Sequence, residues 1–330
     1  GSHSALQILH GARLEGFRTA LIVDSGRRRL YERFNLVDEF LEVERFSDIG
    51  EKEAAEMRRL NGILIPHGSL VEYLGYEKLS GLRVPIFGSR EIVRWERDWR
   101  LKLRLLEEAG IPTPRLYNSP KDVKGPAMVK LPGAKGGRGY FLVSTSEEAE
   151  KGVEKAVEWG LIENPSQAII QEYVIGVPMY FHYFYSPIYN RVELMGMDLR
   201  YESNVDGLRR IPLERFRVEP SFVVVGNIPV MARESLLRKV FDYGDAFVET
   251  VKRLIPPGII GPFCLEAIVT DELEVKVFEF SGRIVAGTNL YLMGSSYSQL
   301  LWDKPMSTGR RIALEIKLAA ENGALDEVVT

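Results

Sequence analysis

Residues 1–95 alternate short apolar runs with amphipathic stretches, the βα pattern of a parallel sheet. Strands are predicted at 20–23, 40–43, 62–65 and 84–87. Helices are expected over 5–15, where apolar residues at 5, 6, 8, 9 and 12 share one face, and over 51–60. The strands run into polar or glycine-bearing turns: Asp24-Ser25-Gly26, Pro66-His67-Gly68-Ser69 and Gly88-Ser89-Arg90. Ligands of open α/β sheets bind at such carboxyl-end loops. A doubly wound domain would begin on a strand, so a first strand is expected ahead of residue 1 and is missing here.

A second unit starts near Arg90. The pattern predicts one amphipathic helix over 91–109, capped by Gly110 and stopped by Ile111-Pro112-Thr113-Pro114. Short strands follow at 127–130 and 140–143, then a helix at 147–159 and a strand at 168–174. The last part carries predicted strands at 192–199, 222–225, 263–269 and 273–280, with helices at 234–254 and 310–320. The expected division is 1–95, 96–185 and 186–330.

Composition narrows the class. A chain of 330 residues exceeds one ordinary core, which points to two or three domains. With 45% hydrophobic and 27% charged residues the chain is globular, not disordered. A formal net charge of -3 lacks the basic excess of a general nucleic-acid binder. Cys264 is the only cysteine, which excludes an internal disulfide and any multi-cysteine metal site. No apolar run reaches the roughly 18–20 residues of a membrane helix, and no basic-led leader opens the sequence. A cytoplasmic protein is expected.

Three constellations could carry chemistry. Gly133-Ala134-Lys135-Gly136-Gly137-Arg138-Gly139 offers backbone N–H groups and two cations at close range. A bare glycine loop is as easily a plain hairpin, and its spacing fits neither standard phosphate motif. Glu266 and Glu279 each interrupt an apolar strand, and the turn at Asp271-Glu272 lets those strands pair as a hairpin. Two neighbouring carboxylates repel unless a cation lies between them, and oxygen ligands with phosphate suit Mg²⁺. The bland alternative is a pair of edge-strand glutamates facing water. Arg283, two residues beyond Ser281, would supply a charge for a transferring phosphate. Gln171-Glu172-Tyr173-Val174 closes an apolar strand and could hold a purine, although an ordinary strand end reads the same way.

Taken in order, Lys130, the glycine loop, 171–174 and the two glutamate strands resemble the ATP-grasp superfamily. Glu279-Phe280-Ser281-Gly282-Arg283 is similar to its Glu-x-Asn-x-Arg signature, with serine where asparagine is usual, which puts a third metal contact in doubt. Asp98-Trp99-Arg100-Leu101-Lys102 and Ala109-Gly110-Ile111-Pro112-Thr113-Pro114 are similar to its opening helix. Along nearly the whole chain the likeness narrows further. Ser2-His3-Ser4-Ala5-Leu6-Gln7-Ile8, Lys135-Gly136-Gly137-Arg138-Gly139-Tyr140-Phe141, Arg200-Tyr201-Glu202-Ser203-Asn204-Val205-Asp206-Gly207, Gly226-Asn227-Ile228-Pro229-Val230 and Arg283-Ile284-Val285-Ala286-Gly287-Thr288-Asn289 resemble the archaeal formate-dependent 5-formaminoimidazole-4-carboxamide ribonucleotide (FAICAR) synthetases.

The resemblance implies an α/β and α+β fold. An N-terminal Rossmann-like (pre-ATP-grasp) domain would precede a two-part ATP-grasp fold, its lid domain at 96–185 and its large, metal-binding domain at 186–330. It implies an ATP-dependent ligase that formylates AICAR through formyl phosphate in purine synthesis. Glu266, Glu279 and Arg283 would be catalytic, and both glutamates would hold Mg²⁺ or Mn²⁺. ATP would meet Lys130, Lys135, Gly136, Gly137, Arg138, Gly139, Gln171, Glu172, Tyr173, Val174 and Glu202. AICAR would meet His3, Ser4, Ser69 and Asn227. The implied partners are AICAR, formate and ATP, without nucleic acid or membrane, in a homo-oligomer of up to six copies. Two alternatives stay open: another carboxylate–amine ligase of the same fold, and a nucleotide-binding paralogue without turnover.

Overall fold

The structure is a computed structural model that describes the chain apart from residues 3, 136–137, 203, 209–211, 213–217, 219–220 and 222, and apart from the side chains of 132–135, 138, 205 and 206. Among the described residues no helix is long and apolar enough to cross a membrane. Among the described residues three sheets organise the chain. A parallel pair joins β1 (Ala20–Asp24) and β2 (Glu39–Val43). A four-stranded sheet has β3 (Leu116–Tyr117), β4 (Ala127–Lys135), β5 (Arg138–Val143) and β6 (Ile169–Glu172) in the order β3-β6-β4-β5. A five-stranded antiparallel sheet runs β11-β10-β7-β8-β9, from β7 (Val177–Ser186), β8 (Arg191–Glu202), β9 (Val224–Pro229), β10 (Gly261–Val269) and β11 (Val275–Ser281).

Alternation along the large sheet sets what faces what. Met179, Phe181, Tyr183, Phe263, Leu265 and Phe280 point to one side and pack against helix Glu234–Leu254 through Leu236, Val240, Phe247 and Val251. The Phe247 ring stacks on Phe263 at 5.2 Å between centroids. Full burial of each such side chain contributes about 1.5–3 kcal/mol. The other face is left for polar groups. In the four-stranded sheet Ala127, Val129, Val143 and Ile170 pack on Ala149, Val153 and Ala156 of helix Ser146–Glu158.

Several expectations change. The helix expected over 91–109 is two, Arg90–Arg97 and Trp99–Glu108. Asp98 is extended between them, and its carboxylate accepts from the N–H groups of Arg100 at 2.8 Å and Leu101 at 3.0 Å, a cap that starts a new helix. Strand β7 was not foreseen: apolar side chains on both its faces hide the period of two, and Gly176 and Pro178 read as a stop. The two sheets therefore change over between Glu172 and Val177, ahead of the expected boundary at 185. Residues 62–65 and 84–87 meet only in the bridge Leu64–Ile86, because Pro85 has no N–H to continue a ladder. A cavity of about 340 Å³ is lined by Leu9, Leu21, Ile63, Ile65, Ile312 and Ile316 among others.

The end of the chain folds back onto its start. Helix Thr308–Glu321 lies on helix Ala5–Leu14, and glycines make the contact close: a Cβ on Gly11 would come within 2.2 Å of the Arg310 nitrogen. Thr330 exchanges both backbone hydrogen bonds with Ile86, at 2.9 and 3.1 Å.

Candidate active site

One face of the five-stranded sheet gathers a row of polar side chains. Across neighbouring strands the register aligns Glu279, Glu266, Tyr180 and Asp198, and beside them Ser281, Cys264 and His182. Arg200 and Asn227 are paired one step further along β8 and β9. Directly opposed residues in an antiparallel pair share a face, so these groups are neighbours. Glu279 reaches this face only through a bulge. Glu266 pairs with Glu279 while Ala267 pairs with Val277, which leaves Phe278 as the extra residue. In an unbulged ladder Phe278 would oppose Glu266, and Glu279 would oppose Leu265 on the helix-packed side.

Each glutamate has its own cation. Lys102, on helix Trp99–Glu108, forms an ion pair with Glu279. Arg200 lies across the Tyr180 ring, 4.0 Å from its centroid, and meets Glu266 at 2.9 Å. The Ser281 hydroxyl donates to Glu266 at 3.2 Å. Burial pushes the Glu266 carboxyl above its ordinary range; Arg200 pulls it back and the Glu279 charge adds to the rise. Burial also works against ionised Glu279, but the Lys102 ammonium outweighs it and holds that carboxyl below its ordinary value. Among the described residues no third carboxylate, histidine or cysteine completes a metal cluster with them. Two neighbouring carboxylates still offer the hard, oxygen-only donors that Mg²⁺ or Mn²⁺ accepts, and a cation there would offset the burial that opposes ionised Glu266.

The four-stranded sheet supplies the opposite wall. Lys130 donates to Gln171 Oε1 at 2.8 Å and lies 3.9 Å from the centroid of the Trp99 ring. Burial lowers its pKa to about 8 despite the attraction of Glu279 and Glu266. The buried Gln171 Nε2 has no hydrogen-bond partner, a donor held ready on this wall. Tyr140, on β5, is pushed up to about 12, first by burial and then by the charge of Glu202, which places Glu202 near the same cleft. Glu172 spends its carboxylate on the Arg115 N–H at 3.0 Å and on Lys276 at 3.2 Å, so any part in ligand binding falls to its backbone. Tyr173 is half-buried, and its pKa is raised by burial.

Arg283 stands where the large sheet meets the first unit. It pairs with Glu96 at 2.8 Å, and its guanidinium packs against Gly68, one residue from Ser69. The bridge His67–Ile284 ties the two loops together. Ser69 shares a hydrogen bond of 2.6 Å with Ser2, and buried Ser4 donates to the Val285 carbonyl at 3.3 Å. Ser4 and Ser69 are thus next to the loop that follows Arg283. Asn227 lies within β9, not after a strand as expected, and donates to Asp198 at 2.6 Å. His3, Gly136 and Gly137 lie outside the described residues, as do the side chains of Lys135 and Arg138.

Sequence reasoning missed the cations. Lys102 sits in the apolar stripe of its helix, three residues before Leu105 and four before Leu106, and a lysine there is a legible sign of a buried partner. Arg200, Glu96 and Trp99 carried no local signal, because their roles depend on partners far along the chain. His182 was invisible for the same reason as β7, and Asp198, inside the expected strand 192–199, was not singled out because its partner lies on β7.

Comparison with known proteins gives two family models and several relatives. A model described as a domain of unknown function (DUF1297) matches residues 148–330, and one described as a protein of unknown function (DUF1246) matches residues 1–117. A 5-formaminoimidazole-4-carboxamide-1-(beta)-D-ribofuranosyl 5'-monophosphate synthetase of Ignicoccus hospitalis is 57% identical, over 99% of this chain and 94% of the relative. The synthetase of the same name from Metallosphaera sedula is 54% identical, over 100% of this chain and 98% of the relative. The crystal structure of an IMP biosynthesis protein PurP from Thermococcus kodakaraensis superposes with a TM-score of 0.80 at 35% identity, covering 100% and 98% of the two chains. The ADP complex of an N5-carboxyaminoimidazole ribonucleotide synthetase reaches 0.66 at 12% identity over 93% and 72%. That last likeness shows the fold alone, the architecture expected from the sequence.

Proposed function

The chain belongs to the family of 5-formaminoimidazole-4-carboxamide ribonucleotide synthetases, and on that premise we propose that it joins formate to the 5-amino group of AICAR at the expense of ATP. The observation that supports the reading is the juxtaposition of Lys130, hydrogen-bonded to Gln171 on one sheet, with the paired Glu266 and Glu279 of the other, whose charges it feels, and of Arg283 with Glu266. Hydroxide is a poor leaving group, so formate needs activation. A formate oxygen takes the γ-phosphoryl group as its bond to ADP breaks, giving formyl phosphate. The AICAR amine then attacks the formyl carbon, the carbon–oxygen bond to phosphate breaks, and the amine proton passes to water or phosphate. The products are FAICAR, ADP and phosphate.

The residues divide that work. Lys130 and Arg283 offset phosphate charge from opposite sides of the cleft. Glu266 and Glu279 would hold Mg²⁺ or Mn²⁺, which when bound supplies charge neutralisation on the transferring group. Ser281 donates to Glu266, and the two carboxylates would be the protein's charged contacts with the metal. The backbone of 171–174, Glu202 and the 135–139 loop take the nucleotide. His3, Ser4, Ser69 and Asn227 take AICAR on the side of Arg283. Enclosure of the cleft keeps water from formyl phosphate.

ADP release tests the reading. It should require AICAR and formate together, with one formylated product per ADP. Turnover only with a different acid and amine would favour the broader ligase alternative, and no turnover under any pairing would leave a binding protein. The carboxylate pair opposes that last outcome, since binding alone does not need it.

Lys130 adds a pH dependence. With its pKa depressed to about 8, the ammonium that attracts phosphate is lost in the free protein as pH rises through that value. Nucleotide binding favours the charged form, so near pH 8 it should take up protons and should weaken at higher pH. Calorimetric titration with ADP in buffers of different ionisation heat measures the uptake; heats independent of buffer would remove Lys130 from the phosphate site. Stability runs the other way. The unfolded chain keeps this proton up to its ordinary value of 10.5, so folding gains as pH climbs from about 8 towards it.

A further inference from the structure

Asn227 ends a chain of hydrogen bonds that runs through Asp198 to His182, two groups that the proposed chemistry does not use. His182 Nε2 and Asp198 Oδ1 are 2.6 Å apart, and Asn227 Nδ2 donates to Asp198 Oδ2 at 2.6 Å. His182 and Asp198 are each 1% exposed, whereas Asn227 on β9 is only partly buried. A ligand in the cleft can therefore reach the asparagine but neither group behind it. The segment Ala286–Tyr291 seals the pair. A Cβ on Gly287 would fall 2.1 Å from Asp198 Oδ1 and 2.8 Å from His182 Nε2, so only glycine lets that backbone lie on them. A carboxylate removed from water this completely needs its oxygens hydrogen-bonded, and Asp198 spends Oδ1 on His182 Nε2 and Oδ2 on the Asn227 amide, while the buried His182 Nδ1 has no hydrogen-bond partner.

We propose that Asp198, backed by His182, is a positioning residue that holds the Asn227 amide with its carbonyl oxygen toward the bound ribonucleotide, so that the site selects a ring carboxamide over a ring carboxylate. The inference rests on the reading that Asn227 meets the imidazole substituents of the substrate. Its physical basis is the one-sided chemistry of the carboxylate. Asp198 accepts, so Asn227 must give it the NH₂ end and present Oδ1 on the other side. That oxygen takes a hydrogen bond from the N–H of a carboxamide. A carboxylate at the same position offers only acceptors. Turning Asn227 to suit it would set the amide oxygen against the buried Asp198, leaving both without a donor. Sites built around one hydrogen-bonding pattern reject the wrong one strongly, by about 10²-fold or more.

The experiment compares AICAR with its 4-carboxylate analogue, the analogue being measured by competition against AICAR. Wild type should bind the analogue about 100-fold more weakly or worse. Asp198→Asn can offer either an acceptor or a donor to Asn227, so the ratio of the two affinities should narrow by about tenfold or more, while ADP affinity stays put. His182→Gln, which keeps the carboxylate but loosens it, should narrow the ratio by less. Equal affinity of wild type for the two ribonucleotides overturns the inference without any variant. So does a folded Asp198→Asn, verified by its unfolding curve, whose ratio is unchanged. Failure of wild type to bind AICAR at all would instead overturn the reading of the site on which the inference stands.

Discussion

Glu279→Gln lowers AICAR- and formate-dependent ADP release by about 10³-fold or more, the scale of losing a principal electrostatic stabiliser of the transferring phosphoryl group. Glutamine has nearly the same shape but brings no charge to the pair with Glu266. The substitution also strips Lys102 of its partner. That ammonium is only 7% exposed, while about a third of the Glu279 side chain reaches solvent, at 35%. The folding cost is therefore about 1–3 kcal/mol, below the roughly 3–5 kcal/mol of breaking a fully buried pair. A companion variant separates the two effects. Glu279→Gln with Lys102→Met removes the orphaned charge, so the denaturant midpoint should return toward wild type while turnover stays lost. Recovery of turnover together with stability would show that Glu279 served only as a counter-ion for Lys102, and the metal reading of the pair would fall.

The contrast between Glu279 and Lys102 also shows what the chain discloses by itself. A carboxylate that interrupts an apolar strand stands out, because its burial needs a reason, and both Glu266 and Glu279 were legible on that ground. Their facing positions were only half legible. The hairpin was expected, but the bulge at Phe278 that puts Glu279 on the right face leaves no mark in the residue pattern. Of the cations, Lys102 left a trace in its place on the apolar stripe of a helix, whereas Arg200, on a strand, left none. Helix Glu234–Leu254 was read with both ends in place, its apolar period being long and unbroken. Strand β7 was missed although it lies at the middle of the large sheet, because alternation is visible only when one face is polar. Its loss from the reading took His182 with it, and with His182 the buried chain that holds Asn227.

Arg311→Met should be the most destabilising single change outside the cleft. Arg311 is completely buried on helix Thr308–Glu321. Its guanidinium meets Glu193 at 2.9 and 3.2 Å and Glu315 at 2.7 Å, and lies 4.3 Å from the centroid of the Phe184 ring. Methionine can fill the space against the Phe184 and Trp302 rings, the latter 4.9 Å from the guanidinium, but it loses both cation–π contacts and leaves two carboxylates inside the protein. Glu315 then has only the Ser186 hydroxyl, at 2.7 Å, and the Ile188 N–H, at 3.3 Å, whereas Glu193 keeps Arg191 at 3.0 Å. Removing one partner of such a network costs about 3–5 kcal/mol, and a loss within that range is expected, since Glu315 loses its cation while Glu193 keeps Arg191 and the Trp302 N–H at 3.2 Å. The loss should also reach function by a particular route. This helix carries the close glycine contact with helix Ala5–Leu14, so loosening it shifts the N-terminal loops and should weaken AICAR binding more than ADP binding. Denaturant unfolding of Arg311→Met and of Arg311→Met with Glu193→Gln and Glu315→Gln decides the matter. The triple variant should regain most of the lost stability, since no buried charge is left without a partner. A single variant within about 1 kcal/mol of wild type would mean that the cluster behaves like an exposed ion pair and does not tie the helix to the large sheet.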